Sequence, residues 1–107
     1  MKDRAKALKE EGNALYKKRE FEAAIAKYEA ATEVDPKDIT FRNNIAAVYF
    51  EQKEFDKCVA WCEETVKLGR EMEKKDFKNI AKAYARCGNV YNKKKEYDKA
   101  EEYWNKA

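Results

Sequence analysis

The segment Lys18-Arg19-Glu20-Phe21-Glu22-Ala23-Ala24 recurs as Gln52-Lys53-Glu54-Phe55-Asp56-Lys57-Cys58 and again as Lys94-Lys95-Glu96-Tyr97-Asp98-Lys99-Ala100. Its central aromatic advances from position 21 to 55 to 97, spacings of 34 and 42 residues. A period near 34 with helical patterning predicts helix pairs, none able to bury its apolar face alone, that must stack on one another. Stacks of this kind present extended surfaces and are built to bind rather than to catalyse.

Leu8, Gly12, Leu15 and Tyr16 fall at i, i+4, i+7 and i+8, which predicts an amphipathic helix from about Arg4 to Lys17. After a polar break, Phe21, Ala24, Ile25, Tyr28 and Ala31 pattern a second helix that closes at Asp35-Pro36, because the proline ring disfavours helix there. Asp38 is expected to cap a third helix carrying Ile45, Val48 and Tyr49. Phe55, Cys58, Val59, Cys62, Val66 and Leu68 form its partner, which the extra eight residues of the second spacing are expected to lengthen by about two turns. Phe77, Ile80, Ala81, Tyr84, Ala85, Gly88 and Tyr91 make a fifth helix, and Tyr97, Ala100, Tyr103 and Trp104 a sixth. The expected architecture is all-α, one domain over 1–107, with helix pairs at about 5–38, 39–72 and 81–107 and an insertion at about 73–80. Small residues recur at matching offsets, Gly12, Ala46 and Gly88 in the first helices and Ala24, Cys58 and Ala100 in the second. They mark close helix crossings, so the glycines read as packing positions.

The charged fraction is 42%, but 24 basic and 21 acidic residues are interleaved and the net charge is only +3, as solvated helix faces require. The basic runs Lys17 to Arg19 and Lys93 to Lys95 lie at hairpin turns without an aromatic stripe, so nucleic acid is not an expected partner. The chain has no histidine and no serine, which excludes Ser/His and Cys/His nucleophile systems. Gly12, Gly69 and Gly88 stand apart and form no phosphate loop, and no carboxylate sits in an apolar stretch that would tune it for acid catalysis. Neither an enzyme nor a cofactor is expected. Cys58, Cys62 and Cys87 read as reduced, buried thiols, since two thiols one turn apart without histidine make a poor zinc site. The longest apolar run, Ile45 to Phe50, is too short to cross a bilayer, which suits a cytoplasmic location away from membranes.

These residues resemble the tetratricopeptide repeat, whose small, aromatic, alanine and proline positions are matched by Gly12, Leu15, Tyr16, Phe21, Ala24, Tyr28, Ala31 and Pro36. The resemblance implies a right-handed superhelical stack of antiparallel helix pairs. Glu11 and Arg42 depart from it where large apolar residues are preferred, and Arg70 where proline is, which is expected to lower packing quality. In a curved stack the first helix of each pair lines the hollow side. Residues beside the core stripe then face the hollow: Lys9, Asn13 and Tyr16 from the first helix, Asn44 from the third, and Lys82, Arg86 and Asn89 from the fifth. Cations and amides would converge there without a carboxylate among them. Such groups suit an anionic chain end through charge-assisted hydrogen bonds of about 1.5–3 kcal/mol each. Two or three of them, with a small apolar contact, reach the micromolar range at about 8 kcal/mol.

The set Lys9, Asn13, Asn44, Lys82 and Arg86 is similar to the dicarboxylate-clamp group of these repeats. Ala81-Lys82-Ala83-Tyr84-Ala85-Arg86, together with Val66 to Arg70 and its insertion, resembles the middle repeat domain (TPR2A) of heat-shock organising co-chaperones. The resemblance implies capture of the Met-Glu-Glu-Val-Asp tail of the ninety-kilodalton heat-shock chaperone, with Tyr16 and Asn89 beside the clamp. The alternative is a general scaffold that takes the seventy-kilodalton chaperone tail, or a folded partner, without a clamp. The family normally adds a covering helix after the last pair, whereas this chain stops at Ala107. Tyr97, Tyr103 and Trp104 are therefore expected to present apolar surface and to promote self-association, which a clean monomer in light scattering over a wide concentration range would rule out.

Overall fold

The computed structural model describes residues 2–72 and 76–107. Among the described residues are six α-helices and no strand: α1 (Lys2–Lys17), α2 (Phe21–Val34), α3 (Thr40–Glu51), α4 (Phe55–Glu71), α5 (Phe77–Lys93) and α6 (Tyr97–Lys106). Each helix packs on the next in sequence, and α3 also meets α5 directly, in a stack measuring 41 × 35 × 16 Å. This is the helical repeat stack expected from the period.

The three copies of the repeated segment make the same turn. Leu15, Tyr49 and Tyr91 accept hydrogen bonds from the N–H groups of Glu20, Glu54 and Glu96, while Tyr16, Phe50 and Asn92 accept from Arg19, Lys53 and Lys95. That paired closure satisfies the last carbonyls of α1, α3 and α5 and requires a left-handed residue just past each helix. Arg19, Lys53 and Lys95 occupy it with φ of 63°, 61° and 63°, a conformation that costs a side-chain-bearing residue about 1–2 kcal/mol. Lys53→Gly is therefore expected to stabilise the fold by about 1 kcal/mol, raising the thermal midpoint by roughly 4 °C. A midpoint that falls in calorimetry would contradict it.

The extra eight residues do not extend α4 by two turns. Helix α4 has 17 residues against 14 in α2, and α5 has 17 against 12 in α3, so the lengthening is divided between them. Helix α5 opens at Phe77 behind an Asp76 cap whose carboxylate accepts from the Asn79 N–H at 3.1 Å. Phe77 and Ile80, expected in the fifth helix, lie in its first turn, and residues 73–75 of the expected insertion lie outside the described residues. The reason is local: Asp76 is a good cap, and no proline stops α4 near Gly69. Asp38 accepts from the Thr40 N–H at 2.9 Å but is not the cap expected of it: the N-cap of α3 is Ile39, and Asp38 stands one residue before it.

Size complementarity builds the pairs. A Cβ placed on Gly12 would lie 2.7 Å from the Tyr28 ring, and one on Gly88 would strike the Trp104 indole. In the middle pair the equivalent positions are Ala46 and Cys62, both fully buried in one cluster. Gly against a large ring and Ala against a thiol fill comparable space, which is why the small residues recur. Gly69 is a packing position too, with Ile80 only 2.7 Å from where its Cβ would be. Cys58, Cys62 and Cys87 are free and buried in the same cluster. The Cys62 thiol donates toward Cys58, lowering the Cys58 pKa and, with burial, raising its own.

Each of the three departures has a polar partner. Glu11 is exposed 3.8 Å from Lys27, and Arg42 donates to the Pro36 carbonyl at 3.1 Å. Arg70 in the last turn of α4 donates to the Tyr84 hydroxyl and lies 5.6 Å from that ring's centroid, so it ties α4 to α5. At the far end Tyr97 and Trp104 remain 61% and 43% exposed as expected, joined by Phe77 at 71%, whereas Tyr103 is half-buried because its ring stacks on Tyr91 with centroids 5.4 Å apart. Among the described residues no helix is long and apolar enough to cross a membrane.

Candidate functional site

The first helices of the three pairs lie side by side. Ala5 of α1 shares a buried cluster with Phe41 of α3, and Asn43 of α3 hydrogen-bonds Asn79 of α5. Along α3 and α5, Asn44, Lys82, Arg86 and Asn89 line one cavity of about 350 Å³ with Thr40, Asn43, Asn79 and Ala85. Two cations, several amides and no carboxylate form its wall. Lys9 lines a neighbouring cavity of about 720 Å³ that shares Thr40, while Asn13 lines neither. Tyr16 lies within electrostatic reach of Arg86.

The amides are held from behind. The Oδ1 of Asn13 accepts from the buried Tyr28 hydroxyl at 2.5 Å, and that of Asn89 accepts from the Trp104 indole N–H at 3.2 Å. With the carbonyl ends so engaged, the N–H donors are the groups these two residues offer to a ligand. Arg86 is half-buried and donates from Nη1 to the Asn43 carbonyl at 3.2 Å, which aims its remaining donors. Lys82 is exposed, one turn before it. Cations backed by oriented amide donors can hold a carboxylate through charge-assisted bonds, shorter and roughly twice as strong as neutral ones.

The expectation of a groove free of carboxylates needs correction on the α1 side. Asp35, Asp38 and Asp76 line the Lys9 cavity. The Tyr16 phenol pKa is raised, first by burial and then by the Glu51 carboxylate beside it, while Arg86 pulls it the other way. Burial likewise raises the Tyr28 phenol. These acids stand at helix ends, off the stripe that selected the cations, so nothing along the chain placed them beside Lys9 or Tyr16.

Asn43, Asn79 and Thr40 were missed as well. Asn43 is only 4% exposed, and its Nδ2 donates to both the carbonyl and the Oδ1 of Asn79, each at 3.0 Å. Asn79 in turn donates to Asp76 at 2.7 Å and to Thr40 at 3.3 Å. The Oδ1 of Asn43 is buried without a hydrogen-bond partner, an arrangement that costs about 1–3 kcal/mol. A sequence signal existed: Asn43 interrupts the otherwise apolar stripe Ile39, Ala46, Phe50. Among the described residues no cluster of three or more His, Cys, Asp or Glu could hold a metal.

Stress-induced-phosphoprotein 1 of Caenorhabditis elegans is 47% identical over 107 residues, all of this chain and 33% of that protein. The chain therefore spans about a third of that relative's length. A structure of the TPR2AB domain of yeast Sti1 in its pHSP90 complex superposes with a TM-score of 0.90 at 42% identity, covering 95% of this chain and 39% of that one. The first TPR of Spaghetti (RPAP3), bound to HSP90 peptide SRMEEVD, gives a TM-score of 0.80 at 26% identity, covering 99% of this chain and 78% of the other. Residues 12–53 match the TPR repeat model and residues 39–107 the tetratricopeptide repeat model. With the larger match spanning more than half of its length, the chain belongs to the tetratricopeptide repeat family.

Proposed function

We propose that this chain is the peptide-capturing module of a cytoplasmic co-chaperone, a binding domain without catalytic activity. It takes the acidic C-terminal tail, of the Met-Glu-Glu-Val-Asp type, of the ninety-kilodalton heat-shock chaperone. Lys9, Asn13, Asn44, Lys82 and Arg86 form the carboxylate clamp, with Tyr16 and Asn89 flanking it, as in a middle (TPR2A-type) repeat domain. The observation that carries this reading is the carboxylate-free wall of Asn44, Lys82, Arg86 and Asn89 between α3 and α5. Support comes from two structural neighbours, yeast Sti1 TPR2AB in its pHSP90 complex and the first TPR of Spaghetti (RPAP3) bound to an HSP90 peptide.

Calorimetric titration with the pentapeptide Met-Glu-Glu-Val-Asp, as free acid and as C-terminal amide, tests it. The free acid is expected to bind in the micromolar range and the amide about tenfold or more weakly, because amidation removes one of two carboxylates on the last residue. Added salt weakens the complex, though less than it would a pair on open surface. Equal affinities for the two forms would remove the clamp reading.

A further inference from the structure

We propose that Asn43 is the positioning residue of this groove: through its buried side chain and its own carbonyl it registers α5 against α3 and so sets where Arg86 points. Helix α5 grips Asn43 twice. Asn79 receives both Nδ2 protons at 3.0 Å, and seven residues further along α5 the Arg86 Nη1 donates to the Asn43 backbone oxygen at 3.2 Å. Asn79 and Arg86 lie two turns apart on one helix face, so two anchors on a single residue fix both the rotation and the sliding of α5.

The amide's orientation is dictated by its surroundings. Exchanging the nitrogen and oxygen of Asn43 would set its Oδ1 against two oxygens of Asn79. Asn79 cannot turn to help, because its own Nδ2 is committed to the Asp76 carboxylate, which only accepts. The Asn43 Oδ1 is consequently stranded in the interior. A leucine has the same branching, with more bulk and no stranded acceptor, so what asparagine contributes here is its donors and not packing. Asn44, the next residue, lies on the cavity wall with Lys82 and Arg86, and a slip of α5 would separate it from them.

The role in peptide capture rests on the function proposed above, whereas the effect on Arg86 does not. Asn43→Leu, made in the full chain, should leave the thermal midpoint unchanged or higher. The ¹⁵N{¹H} NOE of the Arg86 Nε, measured without peptide, should fall, and the free-acid pentapeptide should bind about tenfold more weakly. A residue that merely packs would lower the midpoint and leave Arg86 ordered. Asn79→Ala removes the side-chain acceptor from the other side and should free Arg86 in the same way, which provides the readout if Asn43→Leu does not fold. An Arg86 Nε as ordered as in the parent in the folded variants overturns the proposal. So does undiminished affinity of Asn43→Leu where the parent prefers free acid to amide. If the parent shows no such preference while Arg86 is released in the variants, the clamp fails and the positioning role stands.

Discussion

An Arg86→Ala variant is expected to bind the free-acid pentapeptide at least tenfold more weakly than the parent chain, with its helical circular dichroism unchanged. The guanidinium is half-buried and already steered by the Asn43 carbonyl, so it meets an anion with little ordering left to do. Charge-assisted hydrogen bonds contribute about 1.5–3 kcal/mol, and each 1.4 kcal/mol is tenfold in affinity, which places the loss between roughly tenfold and a hundredfold. The fold should tolerate the change, because position 86 lies inside α5 and alanine is the better helix former. Lys82→Ala should act in the same direction with a smaller loss, since the exposed ammonium is better solvated. Calorimetry that finds Arg86→Ala within a factor of two of the parent would exclude a guanidinium contact with the peptide.

Ile45→Ala is expected to cost about 2–4 kcal/mol of folding stability and to lower the thermal midpoint by roughly 10–20 °C. Ile45 is completely buried, packed with Ala24, Ile25 and Tyr28 of α2 and Val48 of its own helix, so it forms the seam between the first and second pairs. Truncation leaves a void that stiff neighbours cannot close. In a stack held by nearest-neighbour interfaces, a weakened seam also separates the pairs, and amide exchange in α1 and α2 should accelerate before that of α4 and α5. A loss below about 1 kcal/mol, or uniform acceleration of exchange, would show that the pairs are not coupled through this residue.

The turns, helix ends and packing glycines were legible because their chemistry is local. Phe21, Phe55 and Tyr97 announce second helices, and Asp38 and Asp76 can serve helix starts with a carboxylate only two or three residues away. Gly12 and Gly88 could be read as crossing points because a small residue recurs at the same place in each pair, while their large partners, Tyr28 and Trp104, emerged only from the structure. The fate of the eight additional residues was harder to read. A helix can be lengthened at either end, and both α4 and α5 had suitable residues.

The position beside the core stripe of α1, α3 and α5 selected Lys9, Asn13, Tyr16, Asn44, Lys82, Arg86 and Asn89, since a face repeats every three or four residues whatever lies opposite, and the resemblance to the clamp group singled out five of them. Periodicity could not say which of them would share a cavity, nor bring Asp35, Asp38 and Asp76 beside Lys9. Those juxtapositions depend on how one helix slides and turns against another. The bonds that govern the slide join residues 36 and 43 positions apart, Asn43 to Asn79 and Asn43 to Arg86. Helical propensity acts over a few neighbours and is written along the chain. The orientation of Arg86 and the stranded oxygen of Asn43 arise only when buried polar groups on separate helices must satisfy one another in a space already filled by the core.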